Sequence, residues 1–274
     1  MKRAFGERLR RAFRDSDEGA SESLRDALRR REQRLGQSGE RVEIPAGRVV
    51  ENERGSCFVR ELRYPLETIH GDLPLGAACN VDSTRLAVLA KLPEMGEFDL
   101  SKCLFLDTET TGLSGGVGTI VFMVGLGFFD GEEFVLEQAF LRSYGDEPSA
   151  LIHTARRLKQ YPNLVTFVGK CFDRHRIAAR MAVHKIRSRV LTSHHLDLYY
   201  MAQRAWKSEL PDVKLQTVER HKLGVHREDD MPGSEAPIAF LDWIRDGSGR
   251  VDRVFEHNRL DVLTLVTLLA ALGR

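Results

Sequence analysis

Cysteine is scarce in this chain, and its spacing excludes two common ways of stabilising a small domain. Only four cysteines occur among the 274 residues, and no two of them form a C-x-x-C pair. A disulfide framework or a structural zinc site needs cysteines at close and regular spacing. We therefore interpret all four as buried thiols in a reducing compartment: Cys57, Cys79, Cys103 and Cys171.

Long apolar runs are also missing from the sequence. No window reaches the ~18 uninterrupted apolar residues that a membrane-spanning helix needs. The first residues, MKRAFGERLRRAFRDSDEG, lack the apolar core of a secretory signal. With 42% hydrophobic and 30% charged residues, the composition is that of a globular protein large enough to bury a core. We expect a soluble, cytoplasmic protein with no membrane partner.

A large overall charge is absent as well, because the formal net charge is only +1. The balance is nevertheless uneven, since residues 1–48 hold 13 Lys and Arg against 9 Asp and Glu. Apolar residues at helical spacing among arginines predict a charged helical arm over residues 1–41. Two interpretations stay open: a solvated lead-in, which the composition favours, or an arm that contacts nucleic acid. The same arm is a candidate docking segment for a protein partner.

The sequence pattern then changes twice along the chain. Residues 42–101 contain short β-like segments separated by the turn signal ENERGS, which predicts a small β-rich or irregular lead-in. Over residues 102–274, the strand patterns CLFLDTET, TIVFMVGLGFF and EFVLEQAFL precede strands that alternate with helices. The dipeptide Asp130-Gly131 predicts a hairpin between the second and third of these strands. This order predicts an α/β domain with a mixed sheet and helical layers.

Acidic side chains occur where the local pattern predicts burial. Asp107 and Glu109 are two residues apart at the end of an apolar strand, so they project from the same face. Asp173 follows the strand 164–169, and Asp261 lies on the last helix among apolar neighbours. Closely packed carboxylates are costly unless they are solvated or bind a cation. If the four converge, they would suit two Mg²⁺ or Mn²⁺ ions, which can activate a water and stabilise the leaving oxygen of a phosphodiester.

The motifs FLDTETTGL, VGKCFDRHRI and HNRLDVLTL resemble, in this order, the three exonuclease motifs of the DEDD nucleases in the ribonuclease H-like superfamily. The segments HHLDLYYMAQRAWK, LQTVERHKLGV and DDMPGSEAPIAFLDWIRDG resemble more closely the YprB-type ribonuclease H-like proteins. This resemblance covers residues 103–272. It implies a mixed five-stranded sheet flanked by helices and a metal-dependent 3′→5′ exonuclease activity on DNA or RNA, with single-stranded 3′ ends as the expected substrate. It also implies that two Mg²⁺ or Mn²⁺ ions are held by Asp107, Glu109, Asp173 and Asp261.

Two positions depart from the family pattern. The second motif commonly reads N-G-x-x-F-D, and here Val168 stands at the Asn position. In the third motif, the family has Tyr four residues or His five residues before the last Asp, whereas His257 has the Tyr spacing. We expect His257 to be either the general base or a supporting histidine of the helix surface.

Substrate contacts are implied around the first two motifs. The resemblance favours contacts of Thr108, Thr110, Gly112 and Leu113 with a substrate 3′ end, and a flexible turn is the alternative for GLSGGVGT. Phe172 is a candidate stacking platform for a base, although the apolar pattern favours core packing for its ring. Asp197 is another acid at a strand end. We expect it to cap the next helix rather than join the site.

Two glycine-rich stretches fail as nucleotide-binding motifs. GLSGGVGT lacks the G-K-[ST] ending of a Walker loop, and GLGFFDG leads into a hairpin rather than a helix. Two function hypotheses follow: a metal-dependent nucleic-acid phosphodiesterase, or a non-catalytic nucleic-acid-binding or scaffolding module on the same fold. The presence of all four acids favours the first.

Overall fold

The structure, a computed structural model, describes residues 41–92, 99–112, 118–188, 190–191 and 194–274. All but the last residue of the predicted arm over 1–41 lies outside the described residues, and so does Leu113.

A seven-stranded mixed sheet forms the centre of the structure. Its elements, and those packed around it, are the strands β1 (Arg48–Asn52), β2 (Gly55–Pro65), β3 (Ile69–His70), β4 (Leu73–Pro74), β5 (Cys103–Thr110), β6 (Val121–Asp130), β7 (Glu133–Phe140), β8 (Asn163–Thr166) and β9 (His194–Asp197). The helices are α1 (Ser83–Ala90), α2 (Glu147–Gln160), α3 (Asp173–Val183), α4 (Leu198–Trp206), α5 (Leu215–Val218), α6 (Ala236–Asp246) and α7 (Val251–Leu272). A π-helical turn, Glu219–Leu223, continues α5.

The strand order is β1-β2-β7-β6-β5-β8-β9, and β3 and β4 form a separate two-stranded ribbon. Strands β5, β6 and β7 are antiparallel, whereas β8 and β9 continue parallel to β5. These five strands and their helices confirm the predicted ribonuclease H-like α/β fold. The sheet has seven strands rather than five because the β1–β2 hairpin of the lead-in pairs along β7 and covers its backbone edge. The domain boundaries at 41 and 101 stay predictions.

Apolar layers cover both faces of β5, which is why this strand reads as a continuous apolar run. Cys103 and Phe105 belong to the layer under α7, whereas Leu104 and Leu106 belong to the layer under α2 and α3. Helix α7 itself is buried along most of its length. The carboxylates at the end of β5 therefore emerge from a fully packed core.

Glycines of β6 allow α7 to approach the sheet closely. A Cβ on Gly125 would lie 2.5 Å from Asn258 Oδ1 and 2.8 Å from Val262 Cγ2, and one on Gly127 would lie 2.8 Å from Val262 Cγ1. Atoms cannot pack at such distances, so both positions require glycine. The glycines of GLGFFDG thus serve helix packing, and this packing sets the height of α7 above β5.

The expectation of four buried thiols is wrong for two of the cysteines. Cys57 and Cys103 are buried, but Cys79 and Cys171 are exposed. Cys79 lies in the 3₁₀ turn Leu75–Asn80 and Cys171 in the loop before α3, and both segments run over the surface. None of the helices formed by the described residues combines the length and apolarity needed to cross a membrane.

Candidate active site

One strand and two helices bring the four predicted carboxylates into a single site. Asp107 and Glu109 lie on β5, Asp173 is the first residue of α3, and Asp261 lies in the middle of α7. The charge of Asp261 raises the pKa of each of the other three, and Asp173 and Glu109 act on Asp107 in the same way. The four therefore interact electrostatically across three elements that are far apart in sequence.

Burial and repulsion hold these acids far from their ordinary protonation behaviour. Burial first, and then the charges of Asp261, Glu109 and Asp173, raise the pKa of Asp107 well above its usual value. Burial likewise raises the pKa of Glu109 to about 8, although His257 opposes the shift. The pKa of Asp173 rises to about 7 through burial, against hydrogen bonds that lower it. Ionising these carboxyl groups together is therefore costly, and a nearby cation would favour their ionised forms.

Hydrogen bonds fix the orientation of two of the acids. The hydroxyl of Thr108 donates to Asp173 Oδ1 and so joins β5 to the start of α3. Asn258 Nδ2 on α7 donates to Asp107 Oδ2 at 2.8 Å, and Asn258 Oδ1 accepts from Gln138 Nε2 at 2.9 Å. Gln138 thereby fixes which end of the Asn258 amide faces the carboxylate. A chain of buried polar side chains from β7 through α7 to β5 supports Asp107.

His257 lies on the same face of α7 as Asp261, as its spacing predicted. Its Nδ1 is 3.0 Å from both carboxylate oxygens of Asp230, and its Nε2 is 3.6 Å from Asp261 Oδ2. Burial alone would lower the pKa of His257, but Asp261, Asp230 and Glu109 raise it to about 10. His257 is therefore held in the site by Asp230 and is a cation at neutral pH while these carboxylates are ionised.

A second buried cation lies beside the four acids. Arg227 Nη2 is 2.5 Å from Asp261 Oδ1 and also donates to Glu219, while Nη1 is 2.9 Å from Asp230 Oδ2. Glu219 is the first residue of the π-helical turn, and such turns recur at functional sites. Arg227 thus ties the carboxylate of α7 to the segment that precedes α6.

Asp197 caps α4 through Tyr199 N at 3.2 Å, which confirms the predicted structural role. Its carboxylate also accepts from the backbone N–H groups of Val168 and Lys170, each at 2.9 Å. Val168 has φ 62°, a left-handed conformation that Asn tolerates far better than a β-branched residue. Val168, which replaces the Asn of the second motif, therefore has a strained backbone conformation. Separately, the charge of Asp197 raises the pKa of Asp173.

The described residues among the predicted substrate contacts differ in burial: Thr108 and Thr110 are buried, whereas Gly112 is half-buried. Thr110 Oγ1 donates to the Gly112 carbonyl at 3.1 Å, which shapes the turn after β5. Thr108 is buried, and its hydroxyl donates to Asp173. Phe172 is half-buried with Arg176 4.7 Å over its ring, and it lies outside the three apolar clusters formed by the described residues. The core-packing interpretation of Phe172 is wrong, because the residue precedes α3 in a surface loop.

Four site residues were missed by sequence reasoning: Gln138, Asn258, Arg227 and Asp230. Asn258 carried a usable signal, since it lies three residues before Asp261 and therefore on the same helical face. Asp230 stands in the segment DDMPG, but no local pattern places it against His257. Gln138 and Arg227 reach the site only through the tertiary fold.

The chemistry of the four carboxylates fits hard divalent cations, which prefer oxygen ligands. Glu109 and Asp173 are buried, Asp107 is half-buried, and all three have raised pKa values, so binding a cation would relieve their desolvation and repulsion. In the part of the chain that the structure describes, however, no three His, Cys, Asp or Glu side chains are arranged so that they could hold a metal ion. Asp107, Asp173 and Asp261 instead accept from Asn258, Thr108 and Arg227. Metal binding would require these side chains to rearrange.

Comparisons with known proteins agree with this fold. Residues 104–273 match a family profile of the RNase_H superfamily. The "Uncharacterized protein YprB" of Bacillus subtilis is 32% identical over 215 residues, which cover 77% of this chain and 52% of that protein. The chain therefore spans about half the length of this relative.

A solved structure, the family B DNA polymerase from the hyperthermophilic archaeon Pyrobaculum calidifontis, matches 61% of this chain and 24% of that chain with a TM-score of 0.46 and 19% identity. The superfamily profile supports a nucleic-acid-processing function. The sequence identity also bears out the resemblance to YprB-type proteins. Because the profile match covers most of the chain, this protein belongs to the ribonuclease H superfamily.

Proposed function

We propose that this protein is a metal-dependent phosphodiesterase that acts as a 3′→5′ exonuclease on DNA or RNA. The observation that carries the proposal is the convergence of four carboxylates from β5, α3 and α7 in one buried site. Membership of the ribonuclease H superfamily supports it, because this fold is associated with nucleases. The retained acids also favour hydrolysis over a purely binding or scaffolding role.

The proposed cation ligands are Asp107, Glu109, Asp173 and Asp261. Two Mg²⁺ or Mn²⁺ ions held there would offset the four negative charges, lower the pKa of an attacking water and stabilise the leaving oxygen. Hydrogen bonds from neighbouring side chains orient two of these ligands. Asn258 keeps Asp107 oriented, and Thr108 does the same for Asp173.

His257 is the proposed proton-transfer residue. Its Nδ1 is occupied by Asp230, so Nε2 is the atom available to exchange a proton with water or substrate. Its pKa of about 10 reflects neighbouring carboxylate charge, and any offset of that charge lowers the pKa toward neutrality. His257 can therefore change from proton donor to proton acceptor as the local charge changes.

The turn after β5 and the loop before α3 are the proposed contacts for the last nucleotides of a single-stranded 3′ end. Thr110, Gly112 and Leu113 follow the acids of β5 directly along the chain, and Phe172 precedes Asp173. Their positions in the sequence, directly beside the proposed metal ligands, support these contacts. Thr108 would act indirectly, through Asp173.

The test is a degradation assay on oligonucleotides labelled at the 5′ or the 3′ end. DNA and RNA, single- and double-stranded, are incubated with the full chain in Mg²⁺ or Mn²⁺, beside Asp107→Asn and Asp130→Asn. Asp130 is an exposed acid at the last residue of β6, whereas the first residues of β6 pair beside the acids of β5. Its variant therefore controls for the loss of a carboxylate charge alone.

The expected result is shortening from the 3′ end by the wild type and Asp130→Asn, and none by Asp107→Asn. Full retention of all labelled substrates by a folded wild type would end the proposal. Metal-independent binding that survives Asp107→Asn would instead favour the scaffolding hypothesis.

A further inference from the structure

Arg227 occupies an unusual position for an arginine, because it is buried among acids that the proposed function assigns to cation binding. Its side chain is only 6% exposed, and it contacts Glu219, Asp230 and Asp261. Its Nε has no hydrogen-bond partner among the described atoms. A guanidinium stays charged at any physiological pH, and a buried donor without a partner is costly. We therefore attribute the role of Arg227 to its positive charge, which pairs with three carboxylates, rather than to complete hydrogen bonding of its guanidinium.

Arg227 contacts Asp261 at a carboxylate oxygen that a divalent cation would use under the proposed function. Nη2 lies 2.5 Å from Asp261 Oδ1, and this same carboxylate raises the pKa of the other three acids. Within the described ranges, no group of three metal-ligating side chains is ready to hold an ion. A divalent ion bound to Asp261 Oδ1 would also lie close to the positive guanidinium and would be repelled by it.

The surroundings of Arg227 provide alternative partners and space. Glu219 and Asp230 already accept from it, so it keeps two carboxylates if it leaves Asp261. A cavity of about 300 Å³ opens beside it and is lined in part by Gln216, Glu219, Arg220, Asp229 and Asp230. The guanidinium can therefore withdraw from Asp261 toward an open, acidic region without becoming an unpaired buried charge.

We propose that Arg227 is an internal counter-cation that competes with divalent metal for Asp261, and that metal binding displaces its guanidinium from that carboxylate. The inference rests on the proposed function, since it takes the four acids as the metal site. It adds a regulation of that site: the metal affinity is lowered by a residue of the protein itself. The ion must displace Arg227 before Oδ1 of Asp261 can act as a ligand.

A supporting role for Arg227 leads to the opposite expectation. If the guanidinium only orients Asp261 for the metal, its removal should weaken metal binding, as loss of such outer partners does by roughly 10–100-fold. If Arg227 competes with the ion, its removal should tighten binding. The sign of the change in affinity therefore separates the two roles.

The experiment measures Mn²⁺ binding to the full chain by isothermal titration calorimetry, without nucleic acid. Arg227→Gln is compared with the wild type and with Arg259→Gln. Arg259 lies on α7 near Asp261 but donates to Glu256 and Tyr64, so its variant removes a guanidinium without touching the acids. Arg227→Gln should bind Mn²⁺ roughly fivefold tighter or more, and Arg259→Gln within about twofold of the wild type. Equal or weaker binding by a folded Arg227→Gln overturns the inference.

A second measurement uses only the wild type, in case Arg227→Gln does not fold. NMR of the arginine guanidinium groups should detect hindered rotation of the Arg227 group in metal-free protein, and Mg²⁺ should change that signal. A signal that is identical with and without saturating Mg²⁺ overturns the inference.

Failure of the proposed function has a different outcome. A wild type that binds Mn²⁺, loses this binding in Asp107→Asn and yet degrades no nucleic acid leaves the role of Arg227 intact. If neither the wild type nor Arg227→Gln binds Mn²⁺, both proposals fall.

Discussion

The side-chain amide of Asn258 on α7 donates to the carboxylate of Asp107 on β5, with 2.8 Å between Nδ2 and Oδ2. Asn258 is fully buried, and its carbonyl oxygen accepts from Gln138 at 2.9 Å. The contact joins the first and third sequence motifs, which are separated by about 150 residues. Its geometry depends on how closely α7 packs on β6.

Gly125→Ala should unfold more easily than the wild type and lose activity. The new Cβ would lie 2.5 Å from Asn258 Oδ1 and would push α7 from the sheet, at a cost of about 1–3 kcal/mol. Chemical denaturation and the oligonucleotide assay measure the two effects. Gly118→Ala is the matched control, because a Cβ there meets nothing within 4 Å. Equal stability of Gly125→Ala and the control would contradict the close-packing explanation.

Val168→Asn should stabilise the fold. Val168 has φ 62°, where a β-branched side chain is strained and Asn is tolerated, so the expected gain is about 1 kcal/mol in the free energy of unfolding. Thermal unfolding should shift upward by about 2–4 °C. Val168→Ala keeps a Cβ without a side chain suited to this conformation, and it should gain less. An unchanged or lower melting temperature for Val168→Asn would show that the strain is not relieved.

Asp230→Asn should reduce turnover without preventing folding. The variant removes the charge that holds Nδ1 of His257 at 3.0 Å, so the imidazole loses its fixed orientation. We expect kcat to fall by about tenfold or more while KM stays nearly constant. Asp229→Asn removes the charge of an exposed neighbour and should behave as wild type. If both variants turn over normally, Asp230 does not position His257.

Glu137 should make the free energy of unfolding decrease at acid pH. Burial alone would raise the pKa of Glu137, but hydrogen bonds from His153 and Arg157 lower it from 4.5 to about 2. Because the folded-state pKa lies below the ordinary value, the resulting stability is present above pH 4.5 and is lost as the pH falls toward 2. The full effect is on the order of 3 kcal/mol.

Denaturation of Glu137→Gln at several pH values tests this expectation. The variant should be less stable than the wild type at neutral pH, because a buried carboxylate partner of Arg157 is lost. Its stability should also vary less between pH 4.5 and 2 than that of the wild type. Parallel pH curves for the two proteins would assign the acid sensitivity to other groups.

Local patterns were sufficient for much of the fold. Apolar runs and the Asp130-Gly131 turn predicted the three antiparallel strands, and alternating strands and helices predicted the parallel ones. The pairing of β2 with β7, which adds the β1–β2 hairpin to the sheet, was not predicted, because strand partners far apart in sequence leave no local periodicity. Core packing was favoured over base stacking for Phe172 for a similar reason: apolarity alone does not reveal that the chain at this point is a surface loop.

The sequence by itself determined the fold class. It also led to the proposal that four acids form one site, because carboxylates at buried strand and helix positions are costly unless they are solvated or bind a cation. The tertiary structure decided what surrounds them. Arg227, Asp230 and Gln138 reach the site from segments whose own sequence carries no sign of it, since only the packing of α7 on the sheet brings them close. Charge balance in a buried site depends on distances in space, and those distances are set by the fold.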